Sequence, residues 1–298
     1  MTMKNIDYVG KFKVAGLLSL LLIAGTIVMF FTKGLNYGVD FRGGVELQVK
    51  FKEAVALGDL RSLLNEKNLP ISQLQSIGDE SQNEFLMKMQ SDKEDLNVIS
   101  NSVQSVLTEK YGAGSFEVLK ADIVGPKAGS QLRISAFKAL FWAILAIMIY
   151  LALRFDYKFA PGAIAALIHD VVIIIGAFAL TQKEFSLQIV AALLAIIGYS
   201  VNDTVVIYDR VREIESQNTG ASTFDVINRA LNETMSRTLI TSSTVLGVSV
   251  VMLIWGGTVI HDFFFAMTIG IVLGVYSTIF IAIPMTVMVE KYQKKNVA

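Results

Sequence analysis

Long apolar runs separated by short polar connections make up most of this chain. A helix needs about 20 mostly apolar residues to cross a bilayer core. Six stretches meet that need: 14–31, 134–153, 161–180, 187–207, 237–255 and 263–289. Between the first and second the pattern changes. Residues 45–51 alternate apolar and polar, as a half-buried strand does. Residues 57–68 are helical in spacing and stop before Pro70. Residues 73–77 and 85–90 read as strands flanking GDESQN, a turn-rich cluster. Residues 96–111 carry Val98, Val103, Val106 and Leu107 on an amphipathic helix that Gly112 and Gly114 end, and 116–124 is a final strand. The order βαββαβ is that of the ferredoxin-like motif. The expected fold is an α-helical integral membrane protein with six transmembrane helices. A small α+β ferredoxin-like domain is inserted between helices one and two.

Composition sharpens this picture. The chain is 53% hydrophobic and only 17% charged, where a soluble domain carries about 25% charged residues. The formal net charge is zero, so no bulk attraction to nucleic acid is expected. There is no cysteine, which excludes disulfides, thiolate metal sites and cysteine nucleophiles. The two histidines, His169 and His261, are far apart, so no metal centre is expected, and no cofactor motif emerges. The first apolar run is long, and Lys33 follows it without a small-x-small cleavage site; it reads as an uncleaved anchor.

Lys and Arg placement sets the expected orientation. Lys4, Lys11, Lys13, Arg154, Lys158, Arg210, Arg212, Arg229, Lys291, Lys294 and Lys295 all fall on one side, the cytoplasm. The opposite short loops, 181–186 and 256–262, carry little positive charge. The expected organisation is residues 1–32 as cytoplasmic N-terminus and first helix, and 33–133 as a periplasmic domain. Helices two to six occupy 134–290, and 291–298 form a cytoplasmic tail.

Some residues break the local rules. Asp203 interrupts the fourth span within GYSVNDTVVIYDRVRE. A carboxylate at mid-bilayer costs about 2.5–3.5 kcal/mol on insertion scales and usually marks an ion path. Tyr199 is four residues away and shares its helix face; Ser200, Asn202 and Thr204 add polar groups. The fifth span opens SRTLITSSTVLGVSV, with Arg237, Thr241 and Thr244 in one stripe and Thr238, Ser242 and Ser249 beside it. Antiparallel neighbours bring Asp203 and Arg237 to a similar depth, where making and breaking a pair would load and release a proton. His169 and Asp170 lie inside the third span; a proton relay and a packing role are both open. GVDFRGG, holding Gly38, Asp40, Arg42, Gly43 and Gly44, is read as the junction into the outer domain, with Asp40 and Arg42 able to pair across a turn. Such a junction is useful if that domain moves. Residues 222–237, with Phe224, Ile227, Leu231 and Met235 in a stripe and a Ser222–Asp225 cap, read as a helix on the cytoplasmic membrane face. Gly270 and Gly274, followed by Thr278, have small-xxx-small spacing for close helix contact.

Taken in order, GVDFRGG after the first span, IHD in the third, GYSVNDTVVIYDRVRE in the fourth, RTLITS opening the fifth, then GG and GIVLGVYSTIFIA in the sixth span nearly the whole chain. Their combination resembles the SecD–SecF protein-export family of the resistance–nodulation–division superfamily, and its SecF half in particular. The resemblance implies use of the proton-motive force to promote late steps of export of unfolded proteins across the bacterial inner membrane. It implies a non-enzymatic subunit paired with SecD, working with the SecY–SecE–SecG channel in membrane lipid. A YidC-type insertase and YajC are further implied contacts. The family's fourth-span aspartate and fifth-span arginine map onto Asp203 and Arg237, with Asn202 and Thr241 flanking and Asp170 as a weaker member of the pathway. A further essential aspartate is expected on SecD, since six spans supply only half of the path. The competing readings are an exporter of small molecules or lipids, a scaffold of the translocation machinery, and an aspartyl protease. The protease would need Asp170 and Asp203 to share a proton, which an arginine beside Asp203 opposes.

Overall fold

The computed structural model describes residues 6–78, 82–90, 96–155, 158–217, 220 and 222–297, with side chains as far as 292. Lys4, positions 79–81 of the turn cluster, and the side chains of Lys294 and Lys295 lie outside the described residues. A 3-10 turn, Val9–Lys11, leads into α1, Phe12–Thr32. A one-turn helix α2, Val39–Arg42, precedes β1, Gly44–Phe51. Then follow α3 (Leu57–Glu66), β2 (Ile71–Ile77), β3 (Glu84–Met89), α4 (Leu96–Tyr111) and β4 (Phe116–Val124). The remainder is helical: α5 (Pro126–Arg154), α6 (Ala160–Thr181), α7 (Leu187–Gln217), α8 (Thr223–Trp255) and α9 (Thr258–Ser277). A π-helical segment, Thr278–Ala282, joins α9 to α10, Ile283–Val297. Six helical stretches are long and apolar enough to cross a membrane, the last running from Thr258 to Tyr292.

The four strands form an antiparallel sheet in the order β2-β3-β1-β4, the ferredoxin-like arrangement expected from βαββαβ. Period-two alternation decides its faces. Val45, Leu47, Val49 and Phe51 are buried against Leu60, Leu64, Ile99, Val103 and Leu107 of α3 and α4. Glu46 and Lys88 point the other way, toward the helical bundle, where Lys88 reaches Glu184 in the α6–α7 turn.

In the bundle, α6, α7 and the last span, Thr258–Tyr292, are the most enclosed, while α1, α5 and α8 leave most of their surface bare, as lipid- or partner-facing helices do. One apolar core, including Phe41, Phe178, Phe185, Ile189 and Ile196, lies in the half nearest the sheet. The other, including Leu151, Phe159, Tyr208, Ile227 and Leu231, lies in the remote half.

Two expectations are corrected. Residues 222–237 do not form a separate helix on a membrane face. They continue into the fifth span as α8, 33 residues long and roughly 50 Å from end to end. No helix breaker lies between, and Val226, Ile227, Ala230, Leu231 and Met235 bury against the remote core rather than against lipid. The Ser222 cap is as read: its Oγ accepts from the Asp225 backbone N–H at 3.2 Å. Nor do Asp40 and Arg42 pair. Asp40 Oδ2 accepts from the Leu187 backbone N–H (3.0 Å), and Arg42 Nη1 donates to Gln90 Oε1 (3.2 Å).

Candidate functional site

The two intramembrane carboxylates sit on adjacent, enclosed helices. Residues three and four apart share a helix face, so α7 aims Ser200, Asp203 and Thr204 into the bundle together, all buried. Asp203 is 4% exposed. Its Oδ2 accepts from Ser242 Oγ of α8 (3.3 Å), and Ser242 Oγ in turn accepts from Tyr199 OH (3.2 Å). The expected Tyr199–Asp203 neighbourhood therefore closes through a serine on the next helix.

Asp170 is more tightly held, at 1% exposure. Its Oδ2 accepts from Ser200 Oγ of α7 (3.0 Å) and from Ser277 Oγ of α9 (2.7 Å), while Oδ1 lies 3.1 Å from His169 Nδ1. One carboxylate thus ties α6, α7 and α9 together. The His169 ring stacks on Tyr276 with centroids 5.9 Å apart, and its Nε2 has no hydrogen-bond partner. Tyr276 OH donates to the Ala15 carbonyl of α1 (2.7 Å) and lies 2.9 Å from Ser19 Oγ. The network reaches a fourth helix by this route.

The π-helical segment starts at the residue after Ser277. A π-turn shifts backbone hydrogen bonds out of the α pattern and is frequent at functional sites. Here Thr278 Oγ1 lies 2.9 Å from Thr204 Oγ1, and Tyr208 OH reaches the Ala282 carbonyl (3.4 Å) and Thr286 Oγ1 (3.1 Å). Close packing brings α9 to α7: a Cβ on Gly270 would lie 2.4 Å from Ile196 Cδ1.

Arg237 is placed differently from expectation. Among the described residues it makes no ion pair within 4.0 Å. It interacts with Asp203 only through space. The inward stripe of α8 is Thr238, Ser242 and Ser249, all buried; Arg237 and Thr244 face outward and Thr241 is half-buried. Asn202 also faces outward on α7. The five residues named for the proton pathway therefore divide. Asp203 and Asp170 point inward, each with its own hydroxyl partners. Asn202 and Arg237 lie on bare membrane-depth surface, with Thr241 at the edge. Asp170 and Asp203 do not hydrogen-bond each other, so they are not a proton-sharing dyad.

Sequence reasoning missed Tyr276, Ser277 and Lys88. The first two had a signal: three consecutive hydroxyl residues, Tyr276, Ser277 and Thr278, inside an apolar span. Lys88 had none, because its partner lies 96 residues away. Among the described residues no cluster of three or more metal-ligating side chains exists. What the arrangement can do chemically is hold and pass protons. Both enclosed carboxylates accept from serine hydroxyls, and at Asp203 that serine accepts in turn from Tyr199, so donors and acceptors alternate.

The family model described as "Protein export membrane protein SecD/SecF, C-terminal" matches residues 103–292, and the "SecD/SecF GG Motif" matches 28–55. The chain is 39% identical over 294 residues to the protein translocase subunit SecF of Calditerrivibrio nitroreducens, covering 98% of this chain and 96% of that one. It is 38% identical over 297 residues to SecF of Magnetococcus marinus, with 99% and 95% covered. Among solved structures, SecDF of Thermus thermophilus, a translocon-associated membrane protein, superposes with a TM-score of 0.80 at 33% identity. That match covers 98% of this chain and 39% of the SecDF chain. A SecDF structure in a super-membrane-facing form gives 0.74, also at 33% identity, covering 99% and 40%. A family model over most of the length and near full-length relatives at these identities place the chain in its family: it belongs to the SecF protein translocase subunits of the SecD/SecF export proteins.

Proposed function

We propose that this chain couples the proton-motive force to late steps of protein export, as one half of a proton-conducting pair with a SecD-type subunit. The carrying observation is that Asp203 is enclosed with hydroxyl partners while Asn202 and Arg237 of the same region face outward. Polar and charged groups bared at membrane depth are costly, so a partner helix bundle is expected to cover them and to bring a further carboxylate within reach of Arg237. Asp203 is the proton carrier in this reading, Arg237 its counter-charge once the partner is seated, and Asp170 an accessory group that ties α6, α7 and α9. Asn202 and Thr241 flank the path.

Moving one charge through the membrane potential yields about 2.3 kcal/mol per 100 mV, enough to bias a conformational equilibrium some tens-fold. In this reading the chain lies in the bacterial inner membrane with both termini cytoplasmic. Residues 33–133 form the periplasmic domain, 134–290 helices two to six, and 291–298 a cytoplasmic tail. The SecY–SecE–SecG channel supplies the emerging preprotein; a YidC-type insertase and YajC are further neighbours.

The test uses inner-membrane vesicles containing this chain, its SecD-type partner and the channel, with a precursor trapped midway. A proton gradient alone should complete export with Asp203 and fail with Asp203→Asn. Equal completion by both makes the chain a scaffold whose buried aspartate is structural.

A further inference from the structure

The GVDFRGG segment does not stand free between two bodies. It grips the turn joining α6 to α7. Gly38 N–H donates to the Phe185 carbonyl (3.0 Å), and Phe185 N–H donates to the Asn36 carbonyl (2.8 Å). The Phe185 side chain is 1% exposed, stacked on Phe41 at 6.0 Å and edge-on to Tyr37 and Phe178. Asp40 Oδ2 accepts from Leu187 N–H, the first residue of α7. The first backbone N–H groups of a helix have no partner within it, so Asp40 caps α7 from outside. From the sheet, Lys88 Nζ donates to both carboxylate oxygens of Glu184 (3.0 and 2.9 Å) and pairs with Glu46 at 3.3 Å. Arg42 holds Gln90, whose Nε2 donates to the Tyr37 carbonyl (3.3 Å). Asp40, Arg42, Lys88, Gln90 and Glu184 each hold at least one side-chain partner here, and α7 runs from the clasp as one unbroken helix to Asp203, 16 residues or about 24 Å away.

We propose that the turn 182–186, gripped by Asp40, Phe41 and Lys88, is the coupling element that makes the sheet domain and the Asp203 helix move as one body. Asp40 and Lys88 are positioning residues in this scheme. The GVDFRGG segment is then a clasp on α7 rather than a hinge about which the domain swings. An axial shift or tilt of α7 on protonation of Asp203 reaches the sheet through the Leu187 cap and the Glu184–Lys88 pair, without passing through lipid-facing helices. This inference rests on Asp203 being the proton carrier.

The test is hydrogen exchange on the full chain with its SecD-type partner in lipid nanodiscs, reading peptides over 84–90 and 187–193. With Asp40 intact, Asp203→Asn should change exchange in both regions together. Asp40→Asn, which still offers an acceptor oxygen, should keep that joint response. Asp40→Ala should speed exchange of the first α7 turn about fivefold, the scale of a lost cap, and silence the 84–90 response. Glu184→Gln combined with Lys88→Met should silence it too, and serves if Asp40→Ala fails to assemble. Persistence of the 84–90 response in both uncoupled variants overturns the proposal. So does an Asp203→Asn response confined to 187–193, or absent from both regions while gradient-driven export is lost. If gradient-driven export survives Asp203→Asn, the proton-carrier premise fails instead, and the export assay alone shows it.

Discussion

Replacing Asp170 by alanine strips three groups of one shared partner. Ser200 and Ser277 both bond Oδ2, and His169 Nδ1 lies against Oδ1. All four residues are at most 3% exposed, so water does not substitute. Hydrogen bonds between membrane helices average about 0.6 kcal/mol and reach about 1.7. The two that join helices, from Ser200 and Ser277, give a loss of about 1–3 kcal/mol, and orphaning the buried His169 Nδ1 on the same helix adds about 1–2 kcal/mol, for a total of about 2–5 kcal/mol. Asp170→Asn should behave differently. Its amide oxygen, placed at Oδ2, keeps both serine bonds. Its NH2 can donate to His169 Nδ1 in the other tautomer, since Nε2 has no partner to lose. The expected cost is about 1 kcal/mol or less. Thermal unfolding of the purified chain in nanodiscs reads the difference. At about 2–4 °C per kcal/mol for chains approaching this size, the alanine variant should melt roughly 4–20 °C lower, and asparagine within about 4 °C of the parent. Equal melting of the two variants would refute the three-helix tie. Full stability of Asp170→Asn combined with lost export would assign Asp170 to proton transfer as well as to packing.

Two further outcomes follow from the sheet side. Gly44 has φ +152°, and a Cβ there would sit 2.1 Å from the Met89 carbonyl oxygen, so Gly44→Ala must displace β3 backbone. It should cost more than about 1 kcal/mol and expose the β1–β3 pair to limited proteolysis. Gly38→Ala meets only the movable Glu184 side chain and should be milder. Burial disfavours the charge on Lys88, but the Glu184 and Glu46 carboxylates outweigh it and hold the ammonium above the ordinary lysine value of 10.5. A base whose folded value is raised stabilises fully below its unfolded value and loses that contribution as pH climbs through the folded one. Exchange protection of 84–90 should therefore hold from neutral pH to 10.5 and fall only above it. Lys88→Met should remove that fall; a loss of protection near neutrality would contradict the ion pair's role.

What the sequence determined is local. Hydrophobic runs encode spans because each residue's preference for lipid is its own, and period-two alternation encodes the strands of the inserted sheet. Both patterns placed the six helices and βαββαβ correctly. Asp203 was legible because a carboxylate inside an apolar run violates a rule that needs no neighbour to state. The Ser222 cap was legible for the same reason, since donor and acceptor lie three residues apart. Tertiary structure decided the rest. The two polar stripes of α8 differ by one residue, a rotation of about 100°, and only packing against α7 and α9 selects Ser242 inward and Arg237 outward. Asp170 finds its serines 30 and 107 residues away, and Asp40 caps a helix 147 residues on. A sequence pattern sets how deep a side chain lies and which helix carries it. Which group it meets depends on how helices far apart in the chain rotate and dock, and that follows from the shape of the whole packed core.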